Sequence, residues 1–214
     1  MDGARLEDRI RWGFNIAARA TGASTDAYRP RTAHDPLAAI NRYLRLHATF
    51  SGVQGGFTHT NVYGNALWHG LFDAAYTLAG DYLVQDSGTW FIASQQKLLP
   101  VLCVRSERVV SFSRASTQTS TGVNSYGGIT AENTMPLMTS WPASVVNSSG
   151  AGRPSANLPS DNSVPSWTVL LPYCPGVILR PADLMGDDLG RNAVVTAAEL
   201  TSLGWRLAVK QVTT

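Results

Sequence analysis

Between residues 2 and 21 the apolar side chains Leu6, Ile10, Phe14 and Ala17 recur at intervals of four, four and three, with arginines and acids between them. That is the period of an α-helix burying one narrow stripe, and Gly22 suits its end. Trp12 lies off the stripe, so the helix is predicted to dock on its own domain or on a neighbouring molecule. From Ala23 to Leu37 the pattern lapses. Arg29 before Pro30 and Asp35 before Pro36 are both held out of the helical region, which predicts an extended arm. A short helical segment is predicted over 35–42, with Pro36 in its first turn. After it Tyr43, Leu44, Leu46, Ala48 and Phe50 mostly alternate with polar residues and predict a strand, and 52–57 reads as a glycine loop.

Residues 80–114 carry the densest strand signals. Tyr82 to Val84 and Thr89 to Ala93 flank the turn Gln85-Asp86-Ser87-Gly88, and Pro100 to Val104 with Val109 to Phe112 read as a second hairpin around Ser106-Glu107-Arg108. The pattern returns near the C-terminus: Asp81, Asp86, Gly88 and Ile92 recur as Asp183, Asp188, Gly190 and Val194, all at an offset of 102, and each copy runs on to a final strand, Val101 to Arg105 and Trp205 to Val209. Two related β modules are one reading; chance likeness between two Asp- and Gly-bearing turns is the other. Between them, residues 115–167 hold 32 Ser, Thr, Gly, Pro or Asn in 53 positions and three charges, yet also Tyr126, Ile129, Met138, Trp141 and Trp167. Such a segment is expected to be loose alone and ordered against neighbours. The chain thus divides into an N-terminal helix (1–22), an extended arm (23–42), a first β module (43–114), an insertion (115–167) and a second β module (168–214). The expected fold class is mainly β with an N-terminal α-helix: small antiparallel barrel or sheet modules plus a long irregular insertion.

Composition changes this picture in one respect. Hydrophobic residues make up 44% of the 214 positions and charged residues 15%, against roughly 25% charged in an ordinary soluble domain. So weakly charged a surface favours association. Of 17 basic residues only Lys97 and Lys210 are lysine. Interfaces favour arginine, though arginine-rich codon usage accounts for the bias equally well. A net charge of +2, with no Arg or Lys between Arg45 and Lys97, gives nucleic acid little to bind. Cys103 and Cys174 sit in apolar runs and read as small buried hydrophobes. The opening residues carry no apolar signal core and no run of 18 apolar residues occurs, so a soluble chain made in the cytoplasm, with no membrane partner, is expected.

G-x-S-x-G, the P-loop, H-E-x-x-H, the EF-hand loop and C-x-x-C do not occur. His34, His47, His59 and His69 include no pair at helical ligand spacing, and Asp73, Asp81 and Asp86 are explained by turn geometry before acid–base work or calcium. No catalytic residue, metal or cofactor is expected. Phe57, Tyr63, Trp68, Phe72 and Tyr76 put five aromatics into 20 residues among glycines, a composition that serves a core, a subunit contact or a sugar-binding platform.

Gly55-Gly56-Phe57, Tyr63-Gly64, Trp68-His69-Gly70-Leu71-Phe72-Asp73, Gly80-Asp81-Tyr82-Leu83-Val84, Gly88 through Gln96, Leu99-Pro100-Val101-Leu102 and the ending Gly204-Trp205-Arg206-Leu207 together resemble virion proteins of tailed phages and prophages of proteobacteria. The resemblance covers roughly residues 28–114 plus that ending. It implies a non-enzymatic structural subunit of a long, often contractile tail, assembled in the host cytoplasm into the virion. Its partners would be copies of itself and tube, hub or baseplate proteins. A baseplate or tube-proximal ring is the favoured place, a neck component (collar, stopper or connector) the alternative, and a glycan-binding module around Trp68 the rival of another class. Interface anchors chosen by residue type are Trp12, Phe14, Tyr28, Arg29, Trp68 and Trp141.

Overall fold

The computed structural model of the chain describes residues 3–52, 64–115, 134–147 and 165–212. Helix α1 (Gly3–Thr21) leads into β1 (Ala23–Tyr28), and a 3-10 turn (Ala39–Asn41) precedes β2 (Arg42–Gly52). There follow β3 (Leu67–Leu71), β4 (Tyr82–Gln85), β5 (Gly88–Ser94) and β6 (Val101–Ser106). The second half holds β7 (Arg108–Ala115), β8 (Thr134–Asn147), β9 (Ser166–Leu171), β10 (Leu184–Asp187), β11 (Asn192–Thr201) and β12 (Gly204–Gln211). The fold is mainly β with one N-terminal helix. The strands close into two antiparallel barrels, ordered β1-β2-β3-β6-β5-β4 and β7-β8-β9-β12-β11-β10. Adding six to every strand number of the first gives the second, so one six-stranded design is used twice.

Alternation builds each barrel. On β12, Trp205, Leu207 and Val209 are buried inside while Arg206, Ala208 and Lys210 face water. The first barrel closes around Ala27, Leu83, Trp90, Ile92, Val101 and Cys103. On β5 alternation fails, because Trp90, Phe91, Ile92 and Ala93 are all buried. The cause is the other barrel. Tyr82, Phe91, Ala93 and Val104 point outward from the first barrel and join Val110, Phe112, Trp141 and Leu207 in one continuous apolar cluster. Tyr82 crosses this boundary: its hydroxyl donates to the Pro142 carbonyl at 2.7 Å, and its ring lies edge-on to Trp141 at 6.0 Å.

Several expected boundaries are corrected here. Residues 23–42 are not a free arm: the first six form β1, and the rest straps the second barrel. The Asp35 amide donates to Thr139 of β8 at 3.0 Å, the Thr139 amide to Ala33 at 3.1 Å, and the Trp141 indole N–H to Ala33 at 2.6 Å. β1 escaped the hydrophobic pattern because its inward residues, Thr25 and Ala27, are small. Val101 to Val104 and Val109 to Phe112 do not form a hairpin. Glu107 turns the chain from one barrel into the other, with its amide on the Ala143 carbonyl at 3.1 Å, and β7 pairs with β8 and β10. The first module is therefore 23–106 and the second begins at 108. The expected insertion contains the 14-residue strand β8 and the start of β9. Its remaining parts, 116–133 and 148–164, lie outside the described residues, as do Phe57, His59, Tyr63 and all of the loop expected at 52–57 except Gly52, which ends β2.

Helix α1 lies along the first barrel over β2 and β3. Only Ala18 of the helix is buried. The joint at Gly22 is tight, since a Cβ there would stand 2.5 Å from the carbonyl oxygens of both Ala18 and Ala48.

Candidate interaction surface

Buried carboxylates are where chemistry would start, and here they are structural. Asp81 is clasped by Arg29, whose Nε and Nη2 donate to its two oxygens at 2.8 Å each, while the same Nη2 reaches the Tyr76 carbonyl at 3.1 Å. Asp183 is clasped by Arg114 in the same way, at 2.6 and 2.9 Å, with Nη2 on the Ile178 carbonyl at 2.8 Å. The amide three residues upstream donates to the carboxylate in both: Leu78 to Asp81 at 2.8 Å and Arg180 to Asp183 at 2.7 Å. Each clasp ties the end of a barrel's first strand to the turn before its fourth, across the closing seam. The first copy adds the Tyr43 hydroxyl, donating to Asp81 at 2.6 Å. Burial, and next this bond, push the Tyr43 phenol well above its ordinary range, and the bond to Asp81 raises Arg29 further.

The internal repeat can now be read by register. An offset of 102 relates Tyr76, Leu78, Asp81 and all of β4 to Ile178, Arg180, Asp183 and β10. Beyond the hairpin it becomes 103, because the first loop has two residues between Gln85 and Gly88 and the second has three between Asp187 and Arg191. Ile92 thus corresponds to Val195, not Val194: their amides donate to Asp81 and Asp183 respectively. Asp187, like the clasped acids, is committed. Burial pushes its carboxyl up, but the Arg191 side chain and amide outweigh this and hold it below the usual range.

The other candidates for chemistry are dispersed. Asp73 accepts the Ala75 amide at 3.1 Å, a turn contact, and Asp86 is exposed in the β4–β5 turn, at the far end of β4 from Asp81. The His34 Nδ1 meets the Thr139 hydroxyl at 2.9 Å. Among the described residues, no three His, Cys, Asp or Glu could hold one metal ion. Cys103 and Cys174 are buried and free, and burial raises both thiols.

The predicted anchors scatter. Trp12 is 68% exposed on α1, whereas Phe14 is half-buried on the side facing the barrel. Tyr28 is half-buried against the shared core, and Arg29 is used by its clasp, 4.5 Å above the Tyr43 ring. Trp68 faces the first barrel's core, edge-on to Trp90, which itself stacks on Phe50 at 4.0 Å, with Arg105 above the two indoles. Trp141 is overturned as a partner contact. It is 0% exposed and sits at the centre of the chain's own core. The serines and prolines of β8 mask a strand whose tryptophan is spent on the chain's own core.

What residue-type reasoning missed is a groove of about 480 Å³ where the two barrels meet, walled by Pro30, Leu78, Pro172, Tyr173, Leu200 and Leu203. Leu203 continues into a second recess of about 310 Å³ with His69, Leu99 and Leu102. Tyr76, 70% exposed, belongs to the turn that leads to Leu78. A signal existed in the sequence: Leu203 occupies the two-residue turn after Leu200 and Thr201, where polar residues are the rule.

No helix among the described residues is long and apolar enough to cross a membrane. No protein-family model matches the chain, and no curated protein or solved structure matches it either.

Proposed function

We propose that this chain is a structural subunit of a long bacteriophage tail, a baseplate or tube-proximal ring component that binds copies of itself and tube or hub proteins, and that it carries out no catalysis. The carrying observation is the pair of like barrels fused over one apolar core, with apolar side chains left on the outside of α1 and along the groove. Two barrels sharing a core move as one body, which suits a part that must bear load. The buried acids are consumed by clasps, so they stiffen seams. Against the sugar-platform reading, Trp68 packs edge-on to Trp90, which itself stacks on Phe50; for it, Tyr76 of the same segment is 70% exposed.

Deletion of the gene from a phage or prophage that encodes it tests this. Particles without a finished tail, completed when the chain is supplied in trans, are expected. Normal infectious particles formed without the chain would overturn the proposal.

A further inference from the structure

Opposite the side of α1 that touches the barrel, Arg5, Arg9, Trp12, Ile16 and Arg19 follow one another at intervals of four, three, four and three, which places them on one stripe. All five are exposed, Trp12 by 68% and Ile16 by 46%. Among the described residues Arg11 is paired with Glu7, but none of the three arginines of the stripe is in an ion pair. An arginine-flanked tryptophan facing outward is an unfilled half of a contact.

The other half is on the same chain. Where the first barrel passes into the second, Glu107 and Val109 lie beside the β10–β11 turn, whose Asp188 donates its amide to the Val109 carbonyl at 3.0 Å. Val109 is 41% and the neighbouring Leu189 55% exposed. Asp86, in the β4–β5 turn, adds a carboxylate at the same end of the first barrel as Glu107, because Thr89 pairs with Ser106. Arg105 draws on part of Glu107's charge at 3.5 Å. Asp86 and Asp188 are in no ion pair among the described residues. Val109 and Leu189 thus lie among three acids, Asp86, Glu107 and Asp188, against two arginines, Arg105 and the half-buried Arg108, so this end is net acidic where the stripe is net basic.

We propose that the outward stripe of α1 docks on the Glu107–Asp188 end of a second copy. This rests on the reading of the chain as an assembly subunit, and it names the surfaces. The stripe faces away from its own barrel, so its partner is another molecule. Because the two surfaces differ, the contact is head-to-tail, and each added copy leaves one of each free. Such contacts build a ring where the rotation closes and a filament where it does not. Opposed charges also give it register and salt dependence.

The test uses the full chain in sedimentation and light scattering over a range of concentration and salt. Wild type is expected to associate, more strongly at low salt. Arg5→Glu/Arg9→Glu/Arg19→Glu and Asp86→Lys/Glu107→Lys/Asp188→Lys should each weaken association by about tenfold or more, with unchanged circular dichroism and melting. Mixing the two variants in equal amounts should restore association, since an intact stripe meets an intact acidic end and the reversed stripe meets the reversed end with charges still opposed. A wild type that stays monomeric at the highest attainable concentration, association indifferent to both charge sets, or variants that fail to pair would each overturn the proposal. A monomeric wild type found nonetheless in purified tails would overturn self-docking alone, and an associating chain absent from tails would overturn the tail reading alone.

Discussion

Asp81 and Asp183 accept a two-pronged arginine and a backbone amide in the same geometry, yet only Asp81 also receives a tyrosine hydroxyl. Removing either carboxylate leaves a guanidinium and an amide without their partner at a barrel seam. Because the Arg29 side chain keeps 40% of its exposure, Asp81→Ala is predicted to cost about 2–3 kcal/mol, under the full penalty of a completely buried pair. Asp183→Ala should cost about the same or slightly less, and urea unfolding of both variants checks it. The groups that must stay protonated set a pH limit. Burial raises the Tyr82 phenol and the Cys103 thiol, and burial with the Asp81 bond raises Tyr43. A raised folded value contributes stability that is complete below the unfolded value and is lost as pH climbs past it. With unfolded thiol and phenol values of about 8.5 and 10, the midpoint of urea unfolding should fall steadily above about pH 8.5. A flat profile to pH 10.5 would contradict these assignments.

At the scale of elements, the turn before the fourth strand of each barrel needs one residue in the left-handed region. The first copy supplies Gly80, at φ +94°, and the second supplies Ala182, at φ +74°. Both donate their amide across to the fifth strand, to Ile92 and Val195, so the conformation is required in each. Ala182 bears a steric strain that glycine does not, and Ala182→Gly should raise stability by about 0.5–1 kcal/mol, less than the strain itself because glycine is freer when unfolded. A loss of stability would show that the alanine methyl makes a contact worth more than the strain.

This turn also shows how far the sequence could be read. Asp81 and Asp183 stood out at an offset of 102, but Arg29 and Arg114 did not, because they are 85 apart and only the pairing of the first strand with the fourth brings them level. Nor could the one-residue difference between the hairpin loops be seen. β5 and β6 were legible as short apolar runs bounded by turn residues, and β12 from alternation. β1 was not, with small residues inside, and β8 was hidden among serines and prolines. Helix α1 was legible in its period, but its stripe was read for what it buries, whereas its free face is the more informative one.

Over the whole molecule, the barrels share a core, and Trp141 joins its parts: it touches Tyr82 of the first barrel and bonds the strap at Ala33. Trp141→Ala should therefore destabilise both halves together, by about 3–5 kcal/mol, in a single transition followed by tryptophan fluorescence and by circular dichroism. Trp12→Ala should leave that transition in place, since its ring is mostly in water. Two separate transitions in the wild type would mean that the barrels fold apart and that the rigid-body account fails. The most direct check on the central claim, that the chain is a built-in part of a tail, is its copy number in purified tailed particles, measured by quantitative mass spectrometry against the tube protein. The account predicts a fixed small number of copies per particle, retained through gradient purification. Absence from washed particles, or an amount that varies from one preparation to the next, would contradict it.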